Sequence, residues 1–308
     1  MRVIVVGLGV QGRKRLAVAG DEVVGTVDPA QPDATSRALR DIPIDTYDAA
    51  LVCVPDDVKL EVLTHLLGHG KHVLVEKPLL APDNATLAEL AAVGRRQRAV
   101  CYTAYNHRFE PHFVRMQELL ESGDLGRVYR CRLFYGNGTA RDVRNSPWRD
   151  KGAGVLPDLG SHLLDTVLFW FGARPWNFRV ISCHRFENAA FDHFVVGAEG
   201  EPVLELETTL LSWRNHFTCD ILAERGSAHI ESLCKWGPST FVHRRRKLPS
   251  GLPDEESVTL VQSDPTWAVE YEHFKRACVR GEGNLANDLW INERLNALTA
   301  AALAGARA

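Results

Sequence analysis

The chain has 308 residues, 45% hydrophobic and 24% charged, so its composition excludes a disordered or fibrous protein and its length suggests two domains. Its 36 Lys and Arg residues against 39 Asp and Glu leave a net charge of −3. No overall field therefore favours nucleic acid or an anionic membrane.

Seven cysteines are scattered without a Cys-x-x-Cys pair, which argues against a zinc site and against a disulfide scaffold. We expect no metal. Met1-Arg2 leads directly into the apolar run Val3–Val6 without a leader peptide pattern. Later apolar stretches are broken by charge well before the ~20 residues that a membrane span needs. These features predict a soluble, cytoplasmic protein.

Short β-branched runs alternate with helical patterns over the first hundred residues, which predicts a parallel sheet with crossover helices. The predicted strands are 3–6, 23–27, 50–54, 73–76 and 100–103, and the predicted helices are 11–19, 57–69 and 83–98. The stretch from Pro29 to Tyr47 is short and contains prolines. A crossover helix or a strand is therefore expected to be abbreviated there.

The pattern changes after residue 104. Helices are predicted near 110–122 and 157–171, on either side of a strand at 127–135. Consecutive alternating runs at 177–186, 192–198, 202–213, 216–223 and 226–232 then predict an antiparallel sheet. Helical patterns near 267–280 and 287–304 follow. We interpret the basic run 244–247 as a solvated turn, with an anion-contacting patch as the alternative.

The segment Gly7-Leu8-Gly9-Val10-Gln11-Gly12 follows an apolar strand and opens a helix. Its glycines allow a tight turn, backbone approach to a pyrophosphate and close helix–strand packing, so it predicts a dinucleotide site. The second strand ends at Asp28, which we expect to accept hydrogen bonds from ribose hydroxyls. Two like charges ~4 Å apart repel by about 4 kcal/mol at an effective dielectric of ~20, so Asp28 favours NAD over NADP. Pro29-Ala30-Gln31 supplies no base to neutralise a phosphate, although Arg40 or another distant base could reach it. The alternative is that Asp28 only caps a turn before Pro29.

Two further segments carry groups suited to proton transfer. Lys77, in Glu76-Lys77-Pro78, follows the fourth strand, where it can donate to a substrate oxygen; a surface Glu-Lys pair is the alternative. Asp158, His162 and Asp165 have spacings i, i+4 and i+7, which predict one helix face. His162 suits proton exchange near neutrality, and Asp158 could orient it. The alternative for His162 is a core or interface histidine.

The glycine loop and two candidate catalytic motifs together resemble the glucose-fructose oxidoreductase / inositol dehydrogenase family, Gfo/Idh/MocA. The first catalytic motif is Glu76-Lys77-Pro78, and what we call the second motif is Asp158-x-Gly160-x-His162-x-x-Asp165. The resemblance covers essentially the whole chain. It implies a Rossmann domain over 1–104 and an α+β domain over 105–308. The second domain's large open, mainly antiparallel sheet would often form the interface of a homodimer or homotetramer.

The resemblance also implies site residues. The expected catalytic group is Lys77, Asp158 and His162, and Pro78 is expected to follow a cis bond. The expected cofactor contacts are Gly7, Leu8, Gly9, Val10, Gln11, Gly12, Asp28, Val54, Pro55, Glu76, Lys77 and Asn106. The expected substrate contacts are Lys77, Arg108, Trp148, Arg149, Asp158 and His162. Interdomain packing is an equal alternative for Asn106 and Arg108.

Two positions depart from the family pattern, which often has histidine where Arg15 and Lys59 stand; neither is expected to touch the chemistry. The segment 141–149 holds three arginines and a tryptophan. It could stack on a ring and grip a phosphate or carboxylate, or be an ordinary polar loop.

The sequence thus predicts an oxidoreductase, with NAD favoured over NADP, that transfers a hydride between nicotinamide and a secondary alcohol or ketone of a sugar, nucleotide sugar or cyclitol. One alternative is an NAD-dependent glycosidase, in which transient oxidation allows elimination without net cofactor consumption. A second is a non-catalytic NAD-sensing regulator. Lys77, Asp158 and His162 are intact and no DNA-binding segment is visible, which argues against the regulator.

Overall fold

The computed structural model describes residues 1–146 and 149–305. They divide into two compact units, one formed by Met1–Asn106 with Thr266–Glu293, the other by His107–Pro265 with the residues from Arg294 onward. The sequence led us to expect a boundary at 104/105 and one continuous second domain. The observed change falls close to that boundary, but the chain later returns to the first unit.

The first unit is built on a parallel sheet with the strand order β2-β1-β3-β4-β5. Its elements are β1 (Val3–Val6), α1 (Val10–Ala19), β2 (Val23–Val27), β3 (Ala49–Val52), α2 (Asp56–Gly68), β4 (His72–Glu76), α3 (Asn84–Gln97) and β5 (Cys101–Ala104). β1 and β3 are fully buried, as expected of apolar strands covered on both faces. The chain winds in opposite directions from β1 and β3, and ligands bind outside the strand ends at such a point.

The connection between β2 and β3 is abbreviated, as predicted. In the described residues it holds two short 3-10 turns, Leu39–Asp41 and Ile44–Thr46, and no longer helix. The segment is held to β2 by a reciprocal pair: Thr26 N donates to Thr35 Oγ1 at 2.8 Å, and Thr35 N donates to Thr26 Oγ1 at 3.0 Å. Backbone pairing continues beside it, since Ser36 N donates to Thr26 O at 3.0 Å and Asp28 N donates to Ser36 O at 3.1 Å.

The second unit contains an open sheet in the order β13-β12-β11-β10-β6-β9-β8-β7 within the described ranges. Its strands are β6 (Val128–Gly136), β7 (Asn177–His184), β8 (His193–Glu199), β9 (Val203–Thr209), β10 (His216–Ala223), β11 (Gly226–Glu231), β12 (Ser239–Lys247) and β13 (Gly251–Leu260). Its helices are α4 (Pro111–Ser122), α5 (Ala140–Arg144) and α6 (Ser161–Phe171). β6 and β9 run parallel and the other neighbours are antiparallel. This confirms the mainly antiparallel sheet.

The two faces of this sheet differ in polarity. On one face Leu133 and Phe217 are fully buried, and Phe113 of α4 packs on Phe217. Trp170 Nε1 of α6 donates to Phe113 O at 3.1 Å, which joins the two helices. The other face carries cross-strand ion pairs, Arg130–Glu205 and Arg132–Glu207. The buried face therefore supports the helix that carries the second motif.

The interpretation of residues 244–247 as a turn is wrong. Arg244–Lys247 ends strand β12 and pairs with the acidic strand β13. Arg244 contacts Glu255 at 2.7 Å, and Lys247 contacts Asp254 at 2.6 Å. The basic run is neutralised across the hairpin, because opposite charges on facing strands attract each other.

The return to the first unit is made by α7 (Thr266–Arg280) and the start of α8 (Leu285–Gly305). Phe274 is fully buried in the apolar cluster of β1, β3 and β5. The Asn284 side chain accepts from Thr103 N at 2.7 Å and donates to Thr103 O at 2.8 Å. This side-chain amide thus pairs with the backbone N–H and C=O groups of Thr103 on the edge of β5, where no neighbouring strand of the described residues pairs with them.

None of the helices in residues 1–146 and 149–305 is long and apolar enough to cross a membrane.

Candidate active site

The glycine loop joins β1 to α1. Gly7 has φ +90°, and a Cβ there would stand 2.6 Å from the Cys53 carbonyl oxygen. A Cβ on Gly12 would lie 1.8 Å from the Gly7 carbonyl oxygen. Both positions therefore require glycine. A Cβ on Gly9, by contrast, would meet nothing within 4 Å, so the backbone there has room for a ligand.

The N-terminus of α1 is suited to an anion. No described side chain caps it, and its first turn holds no acidic residue. Its unpaired N–H groups and the helix dipole favour a negative charge. Val10 is 75% exposed at this point, an apolar surface that a bound dinucleotide would cover. The residues present thus fit the pyrophosphate of a dinucleotide.

Asp28 caps the adjacent turn, which the sequence offered as its alternative role, and it also contacts the glycine loop. Its carboxylate accepts hydrogen bonds from the backbone N–H groups of Leu8 at 2.7 Å, Ala30 at 2.8 Å and Gln31 at 3.0 Å. Partial burial opposes ionisation, but these donors and the charge of Arg13 outweigh it and hold the pKa of Asp28 below its ordinary value. The carboxylate therefore ties the glycine loop to β2. Roughly one of its four acceptor positions remains for a ribose hydroxyl.

Two arginines lie beside the Asp28 loop. Arg13 contacts Asp33 at 2.7 Å, and Arg37 donates to Gln31 O at 2.8 Å. Sequence reasoning considered the residues after Asp28 and missed Arg13, which precedes it on α1. Arg40 is exposed and lies 4.0 Å from Glu61.

Lys77 lies immediately after β4, at the carboxyl edge of the sheet, as predicted. Its side chain is half-buried, and the Lys77–Pro78 bond is cis, which confirms that expectation. Val54 and Pro55 occupy the corresponding position after β3. These residues share the sheet edge with the glycine loop, where a dinucleotide would bind.

The second motif begins with a π-helical turn, Leu156–Gly160, and α6 starts at Ser161. The sequence predicted one regular helix over 157–171. Because a π turn is wider than an α turn, Asp158 does not take the angular position that i, i+4 spacing implies. Such turns often occur at functional sites. Asp158 remains part-exposed while His162, on α6, is buried.

His162 lies among aromatic rings of its own unit. Its ring stacks on His107, with centroids 3.9 Å apart and 16° between the planes. Tyr135 approaches at 5.7 Å in an edge-on arrangement. Burial raises the pKa of Tyr135, so its hydroxyl stays protonated near neutrality. His107 and Tyr135 were not singled out in the sequence as proton-handling residues.

Lys235 brings a cation to this cluster. It lies in the short turn Cys234–Trp236, and its Nζ is 3.2 Å from His107 Nε2. The same amine lies over the Trp236 ring, 4.7 Å from its centroid. Glu110 accepts from Cys234 N at 3.2 Å, and burial raises the pKa of Glu110. The sequence gave no signal for Lys235, because only the fold brings this turn to His107.

Asn106 and Arg108, predicted as ligand contacts, already have protein partners. Asn106 Nδ2 donates to Thr266 Oγ1 at 2.8 Å within the first unit. In the second unit Arg108 makes a bidentate pair with Asp165, with nitrogen–oxygen distances of 2.9 and 2.6 Å. Burial raises the pKa of Asp165 despite Arg108. Asp165 is thus the ion-pair partner of Arg108. The ligand contacts of Asn106 and Arg108 stay predictions.

The loop that precedes the π turn contributes one predicted substrate residue to the described chain. Arg149 lies 3.4 Å from Asp158, and the two side chains are 32% and 38% exposed. A part-exposed arginine beside a carboxylate can hydrogen-bond a polar ligand. Trp148, the other substrate residue predicted in this loop, lies outside the described residues.

Comparison with known families agrees with both units. Residues 1–105 match the model described as an oxidoreductase family with an NAD-binding Rossmann fold, and residues 113–229 match that of the GFO/IDH/MocA C-terminal domain. The chain belongs to the Gfo/Idh/MocA family of oxidoreductases. Its first unit is therefore an NAD-binding Rossmann domain.

Individual relatives are more distant. The chain is 35% identical over 141 residues to an inositol 2-dehydrogenase of Saccharopolyspora erythraea, covering 45% of this chain and 39% of that one. It is 27% identical over 165 residues to glucose-6-phosphate 3-dehydrogenase of Bacillus subtilis, covering 49% and 47%. The chain spans about a third to a half of the length of the first curated relatives that it matches. A levoglucosan dehydrogenase structure with NADH has the same fold, with a TM-score of 0.83, 18% identity and coverage of 99% and 97%.

Proposed function

We propose that this chain is an NAD-dependent dehydrogenase acting on a secondary alcohol, or on the corresponding ketone, of a sugar, nucleotide sugar or cyclitol. The observation that carries the proposal is the glycine loop. Its backbone is open at Gly9 and leads into an uncapped helix N-terminus without acidic side chains. The relatives named for inositol and glucose 6-phosphate support the substrate class.

The preference for NAD over NADP rests on Asp28. Its pKa is held below the ordinary value, so the carboxylate is ionised at neutral pH, where it repels a 2′-phosphate. Arg13 lies close enough to act electrostatically on Asp28 and is itself paired with Asp33. We propose that this pairing keeps Arg13 from receiving the phosphate.

The catalytic proposal assigns one task to each residue. Bound NAD accepts or supplies the hydride. The Lys77 amine donates a hydrogen bond to the reacting oxygen and stabilises its developing charge. His162 takes the hydroxyl proton during oxidation and returns it during reduction. Asp158, part-exposed beside Arg149, orients the polar groups of the substrate.

The experiment that tests the proposal measures cofactor binding before chemistry. Thermal-shift titrations with NAD and NADP come first, and NADH absorbance assays over free sugars, cyclitols and nucleotide sugars follow. Lys77→Ala is expected to bind NAD normally and to lose turnover. Unimpaired turnover in Lys77→Ala overturns the assignment. Release of a chromogenic leaving group without NADH accumulation would instead support glycosidase chemistry.

We also propose that the outward face of the open sheet forms a homodimer or homotetramer interface. Val203 and Leu222, two exposed apolar residues of its strands, are 41% and 43% exposed. Light scattering after size exclusion is expected to give an oligomer that Leu222→Asp dissociates. Val279→Asp, at a 90% exposed position of α7, is the matched control.

A further inference from the structure

Two buried cations of the first unit stand where the family resemblance led us to expect histidine. Arg15 on α1 is 1% exposed, and Lys59 on α2 is 3% exposed. Neither residue was expected to touch the chemistry, and that stays a prediction, but both contact the segment Glu76–Pro78, which contains Lys77.

Arg15 holds the beginning of that segment. Its Nε donates to Glu76 Oε1 at 2.7 Å, and its NH2 group donates to Glu270 Oε2 at 2.7 Å. The guanidinium also lies over the Trp267 ring, 4.3 Å from its centroid. The planar fork of arginine can serve two carboxylates at once, whereas a lysine amine has no such geometry.

Lys59 holds the end of the same segment. Its Nζ donates to the Pro78 carbonyl oxygen at 2.8 Å and to Asp56 Oδ1 at 2.6 Å. Asp56 begins α2, so this amine links the first turn of α2 to the chain after β4. The two cations therefore bind the residues directly before and after Lys77, namely Glu76 and Pro78.

Burying charges is costly, and a buried ion pair is weak evidence for stability, since well-packed apolar residues often serve as well. A geometric task explains the contacts better. We infer that Arg15 and Lys59 are positioning residues that fix the Glu76–Pro78 segment and thereby aim the Lys77 amine. The inference rests on the catalytic role proposed above for Lys77.

The contacts also fix the position of the segment that contains Lys77 relative to helix α1. Arg15 lies one turn after Gly12 on α1, the helix whose N-terminus fits the pyrophosphate. The helix that would hold the dinucleotide is thus ion-paired to Glu76, the neighbour of Lys77. A misplacement of about 1 Å between reacting groups can cost about 100-fold in rate, so the position of Lys77 relative to α1 matters for turnover.

The test uses Lys59→Met and Arg15→Lys, with Lys71→Met as the matched control. Lys71 Nζ donates to the Tyr47 carbonyl oxygen at 2.8 Å, near the opposite end of β4. In the full-length protein we expect faster amide hydrogen exchange in a peptide spanning residues 76–80 for Lys59→Met and Arg15→Lys, and no change there for Lys71→Met. This measurement needs neither substrate nor cofactor.

Kinetics test the catalytic part, on whichever sugar or cyclitol the absorbance assays find active. Lys59→Met and Arg15→Lys are expected to lower kcat about 10- to 100-fold with little change in KM or NAD affinity. The residual rate of Lys77→Ala is expected to fall little further when the same substitutions are added, because they act through Lys77. Lys71→Met should keep normal turnover.

The outcomes separate the two proposals. If Lys77→Ala retains turnover, the proposed function of Lys77 fails, whatever the exchange data show. If Lys77→Ala loses most of its turnover but Lys59→Met and Arg15→Lys keep the parental kcat and amide exchange, the inference alone is overturned. It is equally overturned if their losses remain undiminished in the Lys77→Ala background. Should Arg15→Lys prove too unstable to assay, Lys59→Met decides.

Discussion

The imidazole of His107 lies face to face with that of His162, with ring centroids 3.9 Å apart. Two protonated rings at this separation would repel each other strongly, so the pair is suited to hold one proton at a time. Lys235 donates to His107 Nε2 only while that nitrogen keeps its lone pair. This contact supports the proposal that His162, and not His107, exchanges the proton.

His162→Asn removes the proposed proton carrier. We expect kcat to fall about 10²- to 10⁴-fold, the usual contribution of a positioned acid or base, with NAD affinity unchanged. Steady-state kinetics and cofactor titration measure the two effects. His184→Asn, at an exposed position of β7, is the control and should behave as the parent protein. A His162→Asn variant with parental kcat would rule out this assignment.

Lys235→Met removes the amine beside His107 while keeping a chain of similar length over Trp236. We expect kcat/KM to fall about tenfold, because one charge-assisted hydrogen bond contributes ~1.5–3 kcal/mol. Lys235→Arg, which keeps the charge, should recover part of the loss. Equal losses in both variants would mean that the charge is unimportant.

Asp28→Asn removes the charge and keeps one oxygen, which can accept from Ala30 and Gln31 or from Leu8 but not from all three. The ratio of the two cofactor affinities cancels a loss common to both. The ratio of NADP to NAD dissociation constants is expected to fall about 10- to 100-fold, less than bare repulsion implies because Arg13 and salt screen it. Fluorescence titration with the two reduced cofactors measures the ratio. Asp21→Asn, at an exposed site, serves as the control. An unchanged ratio would contradict the role given to Asp28.

Glu110→Gln is expected to stabilise the protein at neutral pH. Burial raises the pKa of Glu110 above its ordinary 4.5, so ionisation opposes folding. This penalty is absent below about pH 4.5 and reaches its full size above the folded pKa. The melting temperature of Glu110→Gln should exceed that of the parent near pH 7, and the difference should shrink toward pH 4.5. Glu118→Gln, exposed on α4, should show no such trend; a constant difference would refute the explanation.

Local patterns were enough to predict much of the first unit. The strands at 3–6 and 23–27 agree with β1 and β2, because apolar runs bounded by glycine and charge mark buried parallel strands. Strands β12 and β13 escaped prediction. Their charged residues do not alternate with apolar ones, and only their pairing shows that Arg244 and Glu255 neutralise each other.

Site residues could be predicted where they belong to a contiguous motif. They could not be predicted where only the fold brings residues distant in sequence together. Lys77 and His162 stand in short motifs and could be singled out. Arg15 is 61 residues from Glu76 and 255 from Glu270, so its burial depends on contacts that no local pattern reports. Likewise, the spacing of Asp158 and His162 cannot reveal a π turn.

The return of residues 266–293 to the first unit sets a condition on biosynthesis. Arg15 lies early in the chain, yet its partner Glu270 is synthesised 255 residues later. Until then, edge strand β5 lacks Asn284 and the guanidinium lacks one of its two carboxylates. Residues 1–106 can therefore complete their fold only after residues 266–293 have been synthesised, and during this interval they are most exposed to aggregation.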